Sequence, residues 1–366
     1  MVKSGVFILH IPPPIHGAAM VGGQIIEWLS DSSDIESHII SMSLVSKISD
    51  LGGVSFQKVA VSVGLFVKIL GALIWKRPNF IYFTPSRAGF AFLRDLLFLL
   101  PVKMYANLTG AKVFLHFHTR GPLPDQKSPL FRFLFRFMLN RSEVITLSDS
   151  LGVEMRHYGT AASVVSCPNG VPDYNVDGFS LNPDRLASDS RSPRFLYLSN
   201  MMLEKGYREV LSYAKANPQA SFEFAGAWHS KDDELYFVDF LEQHNMQNVS
   251  YLGLVSGDIK HSVFSRAEIF IFPTYYHFEA FPLCLLEALS YGLPCLSTDV
   301  GAIKEIVGDA GLVLSSVSKL HEVMPHEIEA LRAPELREIA RKRYLDNFTD
   351  KQFLSRFSEI INGGDS

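Results

Sequence analysis

Cysteine is scarce in this chain. Its 366 residues include only Cys167, Cys284 and Cys295, scattered, odd in number and without ligand-like spacing. That pattern argues against a disulfide framework, suggests no zinc or iron–sulfur site, and fits a reduced, cytoplasmic setting. Long apolar runs are few as well. The run after Lys3 (VFILH) is too short for a signal peptide, gives way to Pro12, Pro13 and Pro14, and reads as the first strand of a sheet. Residues 59–75 make a stronger run, yet at 17 residues, broken by Lys68 and glycines, they are marginal for a membrane span. A buried or partly membrane-facing helix is expected there. Internal repeats are absent. The glycines at 17, 22 and 23 do not form the GxGxxG fingerprint of a dinucleotide fold, and no nucleic-acid-binding motif occurs.

What remains is globular. Apolar residues make up 47% and charged residues 20%, and the length suits two domains better than one core. The net charge of −4 hides an asymmetry: residues 1–173 carry 16 Lys/Arg against 11 Asp/Glu, whereas residues 174–366 carry 18 against 27. A basic half joined to an acidic half is a statement about partners. With no nucleic-acid motif, an anionic membrane surface is the expected partner of the basic half.

The most informative stretch is IFIFPTYYHFEAFPLCLLEALSYGLPCLSTDVGAIKEIV, residues 269–307. It reads as strand, polar-aromatic loop, helix and strand. Such a βαβ unit of a parallel sheet presents its loops and helix starts along the edge where ligands bind. With Pro282 as the first helical residue, Glu279 precedes the helix and Glu287 lies about two turns inside it. The N–H groups of Leu283 and Cys284 at the helix start can receive a phosphate. A carboxylate beside a phosphate is better suited to neutral hydroxyls, which sugars and riboses supply. Glu279 could equally favour the helix macrodipole and Glu287 be a surface residue; spacing alone leaves both readings open.

The order of the flanking elements narrows that choice. Glu279-Ala-Phe-Pro-Leu-Cys-Leu-Leu-Glu287, then Tyr291-Gly-Leu-Pro-Cys, then Gly301 and Glu305-Ile-Val closely resemble the E-x7-E donor signature of retaining glycosyltransferases. The resemblance is to the large family 4, group 1, of bacterial surface-polysaccharide type. It implies an α/β GT-B fold: two Rossmann-like domains facing across a cleft, with a C-terminal helix crossing back onto the first. The acceptor-side domain would be 1–173 and the nucleotide-sugar domain 194–348. The polar stretch 174–193 would link them, and 349–366 would be the crossover helix and tail.

Further positions match the family. Gly17 lies in the loop after a strand at 6–10, where relatives approach the donor diphosphate, here with His-Gly-Ala in place of Gly-Gly. His116 and His118 sit two apart near the end of a strand at 112–117, so they share one face. The family's histidine, close to the transferred sugar, matches best at His118. Arg87 and Arg120 fall on the acceptor side. Residues 129–141 (PLFRFLFRFMLNR) set Arg132 and Arg136 one helical turn apart among aromatics, as either a core helix with two exposed arginines or an interfacial helix. In the second half, a strand at 194–199 leads through Asn200 to Lys205-Gly206, and the family uses such a lysine on the donor phosphates. Relatives often carry an arginine where this chain has Asn200, so leaving-group charge would rest more on Lys205 and backbone amides. The loops after strands at 221–224 and 249–252 would enclose the base.

The resemblance implies transfer of a hexose-type sugar, with retention, from a UDP- or GDP-linked donor to a hydroxyl of a saccharide or lipid-linked acceptor. His118, Glu279 and Lys205 would form the catalytic set. Gly17, Asn200, Phe281, Pro282, Leu283 and Cys284 would line the donor, and Glu287 would hold its ribose. No Asp-x-Asp follows an apolar strand, so neither a metal nor another cofactor is expected. The chain is expected in the cytoplasm, peripheral at the inner face of the plasma membrane. Two alternatives are disfavoured: a hydrolase using Glu279 and Glu287 as its acid/base pair, because one helix and its loop hold both carboxylates with an anion site between them, and a catalytically inactive homologue serving as an assembly partner, which has no need for Glu279, Glu287, Lys205 and His118 together.

Overall fold

The computed structural model of the protein describes residues 2–13, 17–42, 56–121, 128–174 and 192–363. The chain divides into two compact units, Met1–Asn169 with Phe353–Ser366, and Gly170–Gln352. The stretch expected as the linker, 174–193, lies almost entirely outside the described residues.

In the first unit, β1 (Lys3–Leu9), β2 (Ile35–Ser41), β3 (Phe80–Phe83), β4 (Lys112–His116), β5 (Glu143–Thr146) and β6 (Ser163–Ser166) form one sheet. Its order is β2-β1-β3-β4-β5-β6, and every pairing is parallel. Central strands such as FIYF and KVFLH are short apolar runs because helices cover both faces of the sheet. Alternate residues feed two separate cores. Val6, Ile8, Ile81, Phe83, Val113 and Leu115 pack under the helices Phe56–Lys76, Gly89–Thr109 and Pro129–Leu139. Phe7, Leu9, Phe80, Tyr82 and Phe114 pack under Gly17–Asp31 and Asp350–Asn362 on the other face. Phe353, Phe357 and Ile361 hold the C-terminal helix there, with the Phe357 ring edge-on to Tyr82 at 5.2 Å.

Two features of this unit differ from expectation. The helix Gly89–Thr109 runs straight through Pro101, where a proline would ordinarily end it. Buried Leu99 and Val102 flank that proline and keep the turn packed, and the helix ends at Gly110, whose φ of 75° makes a left-handed cap. β2 and β6 are the two edge strands, and their sequences (IESHIIS and SVVS) mix polar and apolar residues. Edge strands are half covered, so their pattern does not announce them.

The second unit holds β7 (Arg194–Leu198), β8 (Ser221–Ala225), β9 (Val249–Tyr251), β10 (Ile269–Phe272), β11 (Cys295–Thr298) and β12 (Gly311–Leu314). The order is β12-β11-β10-β7-β8-β9, again with parallel pairings throughout. The chain runs outward from β7 through β8 to β9, then returns to lay β10 on the other side of β7. The strand order therefore reverses between β7 and β10. Loops leaving those two strands flank the crevice where doubly wound sheets bind ligands. Residues 170–173 pack with this unit: Val171 bridges Thr349, and Arg341 grips both oxygens of Asp173 at 2.8 and 2.6 Å.

Candidate functional site

Three loops converge at the carboxyl edge of the second sheet. After β7, Gly206 follows the turn Leu203–Lys205 with a φ of 85°, and a Cβ there would come within 2.3 Å of the Pro273 carbonyl oxygen. Glycine lets the loops after β7 and β10 touch. The Tyr275 N–H ties them by donating to the Glu204 carbonyl at 2.9 Å. After β11, Gly301 lies against the Glu279 and Ala280 carbonyls, and the Ala302 N–H donates to Ala280 at 2.8 Å. This convergence brings Lys205 and Glu279 together as an ion pair, with the ammonium 4.8 Å from the centre of the Tyr276 ring.

The helix Leu283–Ser290 follows at once. Pro282 is its N-cap, extended at φ −70° and ψ 116°, rather than its first helical residue, and it makes no side-chain cap. Glu287 is therefore the fifth helical residue, a little over one turn inside instead of two. Its carboxylate pairs at 2.6 Å with Lys260 of the helix Gly257–Arg266. Cys284 sits among these charges. Burial pushes its thiol up, Glu279 adds to the rise, Lys205 opposes it and Glu287 adds again, so the thiol stays protonated at neutral pH. Both carboxylates of the motif are thus neutralised by a lysine.

Other expected donor residues divide. Phe281 is 7% exposed, and its ring packs on Phe348 at 6.0 Å. Asn200 is exposed just beyond β7, and Leu283 is half-buried at the helix start. The loops after β8 and β9 close on each other. The Gly226 N–H donates to Gly253 at 2.8 Å, the Tyr251 hydroxyl donates to the Gly226 carbonyl at 2.7 Å, and the Trp228 ring lies 4.6 Å from that of Tyr251.

The edge of the first sheet is built differently. His116 ends β4 fully buried, with Nδ1 2.8 Å from the Tyr82 hydroxyl and Nε2 lacking a hydrogen-bond partner. Burial, with His118 adding, holds its pKa well below the ordinary histidine value, so the ring is neutral. β4 ends at His116, short of the expected 117, and His118 lies beyond it, half-buried, with its ring 4.1 Å from that of His116. Of the two, His118 is the accessible one. Arg87 is 2% exposed, with its guanidinium 5.9 and 5.7 Å from the Phe117 and Phe135 rings and 3.4 Å from Glu154. It acts as an internal anchor. Arg120 reaches the other oxygen of Glu154 at 3.2 Å and is the more exposed arginine. Gly17 opens its helix with nothing within 4 Å of a notional Cβ. The glycine that packing demands is Gly22, where a Cβ would fall 1.9 Å from the His10 carbonyl oxygen. Among the described residues no group of three His, Cys, Asp or Glu side chains is placed to hold a metal.

Residues 179–342 match the family described as glycosyl transferases group 1. That segment belongs to the family. Over 173 residues the chain is 30% identical to the O-antigen chain mannosyltransferase B of Escherichia coli. The match covers 46% of this chain and 44% of that protein, so the chain spans less than half the length of this relative. Sucrose-phosphate synthase from Thermosynechococcus elongatus superposes with a TM-score of 0.73 at 14% identity, covering 99% of this chain and 98% of that one. Anabaena HepE in complex with UDP-glucose gives 0.68 at 12% identity, covering 99% and 100%. The fold is that of the GT-B glycosyltransferases. Within the group 1 segment, Lys260 is the functional candidate that sequence reasoning misses. It stands 27 residues from Glu287 along the chain and meets it only through helix packing. A lysine on a short helix carries no pattern of its own.

Proposed function

We propose that the protein transfers a hexose-type sugar, with retention, from a UDP- or GDP-linked donor to a hydroxyl of a saccharide or lipid-linked acceptor in cell-surface polysaccharide synthesis. The observation that carries this reading is the two Lys–Glu pairs bracketing the helix start beside the strand reversal. A diphosphate arriving there brings more negative charge than Glu279 and competes for the Lys205 ammonium. Lys205 and the amides of Leu283 and Cys284 then stabilise the charge that grows on the departing diphosphate. Glu279, released, accepts hydrogen bonds from the sugar. Glu287, with one oxygen held by Lys260, offers the other to a ribose hydroxyl. Similarity to an O-antigen mannosyltransferase supports the polysaccharide role, and the family resemblance supports retention.

The test is a thermal-shift screen against UDP, GDP, ADP and their sugars, because a ligand that binds only the folded state must stabilise it. Donor-dependent transfer is then compared between wild type and Glu279→Ala. Stabilisation by none of the nucleotides, or equal sugar release by both proteins, would sink the proposal. In this scheme protein cations take the leaving-group charge, so activity should survive excess chelator. Loss of turnover that magnesium or manganese restores would show that a metal takes that charge instead.

A further inference from the structure

Three helices lie side by side over one face of the first sheet: Phe56–Lys76, Gly89–Thr109 and Pro129–Leu139. Their inner sides fill the core. On the outer side of Gly89–Thr109, the exposed residues between 90 and 106 are Phe90, Leu93, Leu97, Leu100 and Met104, and none is polar. At 3.6 residues per turn these five fall within an arc of about 80°, a continuous stripe along the helix. The neighbouring helices extend it, with Trp75 81% exposed on one side and Phe133 67% exposed on the other. Soluble monomers rarely leave so much contiguous apolar surface uncovered.

The charges around the stripe have one sign. The three helices contain a single acidic residue, Asp95, which is fully buried against Arg94. Lys68, Lys76, Arg132 and Arg136 are exposed. A second copy docked here about a two-fold axis would set these cations against their own counterparts, with no carboxylate on the face to pair with them. An anionic bilayer supplies both missing partners, negative headgroups for the cations and an acyl boundary for the stripe. No helix among the described residues is long and apolar enough to cross a membrane, so the contact is lateral.

We propose that this three-helix face lies on an anionic bilayer, with the Gly89–Thr109 stripe buried at the headgroup boundary. The interface expected at 129–141 thereby becomes the flank of a larger surface centred on a different helix. The inference deepens the function proposed above, since an acceptor on a lipid carrier would lie in the same plane.

Sedimentation with vesicles of phosphatidylcholine alone and of mixed phosphatidylcholine and phosphatidylglycerol tests it. Wild type should sediment with the mixed vesicles, less so in high salt. Leu97→Glu/Met104→Glu should sediment at least about tenfold less, because two apolar side chains no longer bury and two carboxylates meet an anionic surface. Circular dichroism and the nucleotide-induced thermal shift should be unchanged. Should that variant misfold, Leu97→Ser/Met104→Ser serves in its place. Sedimentation indifferent to lipid charge, or retained by the folded variant, would overturn the inference. So would a wild-type dimer in light scattering that the variant converts to monomer. A protein that binds nucleotide but not vesicles defeats this inference alone, and one that binds vesicles but not nucleotide defeats the transfer reading alone.

Discussion

At the carboxyl edge of the second sheet the polar groups are ion pairs on loops and helix flanks, buried Glu279 with Lys205 and Glu287 with Lys260, and both lysines reach solvent. At the same edge of the first sheet they are a neutral imidazole sealed beneath Tyr82 and an arginine sealed between phenylalanines. Both sheets are six-stranded and parallel. The difference lies in what a ligand can change. A lysine–carboxylate pair at a loop edge can be re-partnered by a more highly charged group, because the ammonium sits on a flexible four-carbon stem. A sealed group is held in one geometry and cannot be re-partnered without breaking the core. In the proposed transfer the second edge would receive the diphosphate, and the first would hold the accessible His118 ring in place.

The comparison is tested hardest at His118. Replacement by alanine should lower turnover by about 10²–10⁴, the range of general acid–base or close positioning contributions. The thermal shift produced by nucleotide should stay near wild type, since the donor pairs lie in the other unit. If His116→Ala gives this phenotype and His118→Ala does not, the sealed ring is the acting one and the contrast inverts.

Lys205→Ala should act on binding. Affinity for the nucleoside diphosphate should fall by about 1.5–3 kcal/mol, the worth of one charge-assisted contact, with the nucleoside alone bound nearly as before. Titration calorimetry with both ligands reads the difference. Equal losses would take Lys205 off the phosphates and leave it as the structural partner of Glu279.

A smaller change is expected at Lys260. If it orients Glu287 toward a ribose, Lys260→Met should cut the preference for a nucleoside diphosphate over its 2′,3′-dideoxy analogue by about 0.5–1.5 kcal/mol. A variant that loses affinity for both analogues equally would make Lys260 a prop for the helix Gly257–Arg266 and nothing more.

How much of this could be read from the residues depended on whether the contact was local. The strand Ile269–Phe272, its loop, the helix Leu283–Ser290 and the strand after it are contiguous, so the pattern of apolar runs, prolines and glycines spells them out. Lys205 stands out only because Lys205-Gly206 resembles the Lys-Gly of the family. Lys260 does not stand out, because nothing in its neighbourhood says that Glu287 will arrive. Phe281 was expected among the donor residues because it belongs to the family-like motif, and its ring packs toward Phe348, a contact 67 residues away that the motif does not announce. The helix Gly89–Thr109 is the plainest failure of pattern. Periodicity reveals a buried side only when polar residues mark the other one, and here the outer side is apolar too.

The smallest effect expected is a pH dependence that separates the two histidines. His116 has a folded-state pKa well below 6.5, so as the pH falls the unfolded chain takes up a proton that the folded protein refuses. The stability this withholds is fully present above 6.5 and is lost progressively below it. Between pH 7.5 and pH 6 the loss is about 0.8 kcal/mol for one such group. Thermal midpoints of wild type and His116→Gln should therefore diverge over that interval, wild type falling further. Parallel curves would mean that His116 titrates in the folded protein. A ring that takes a proton at neutral pH is open to water, and the sealed edge of the first sheet would then be no more fixed than the ion pairs of the second.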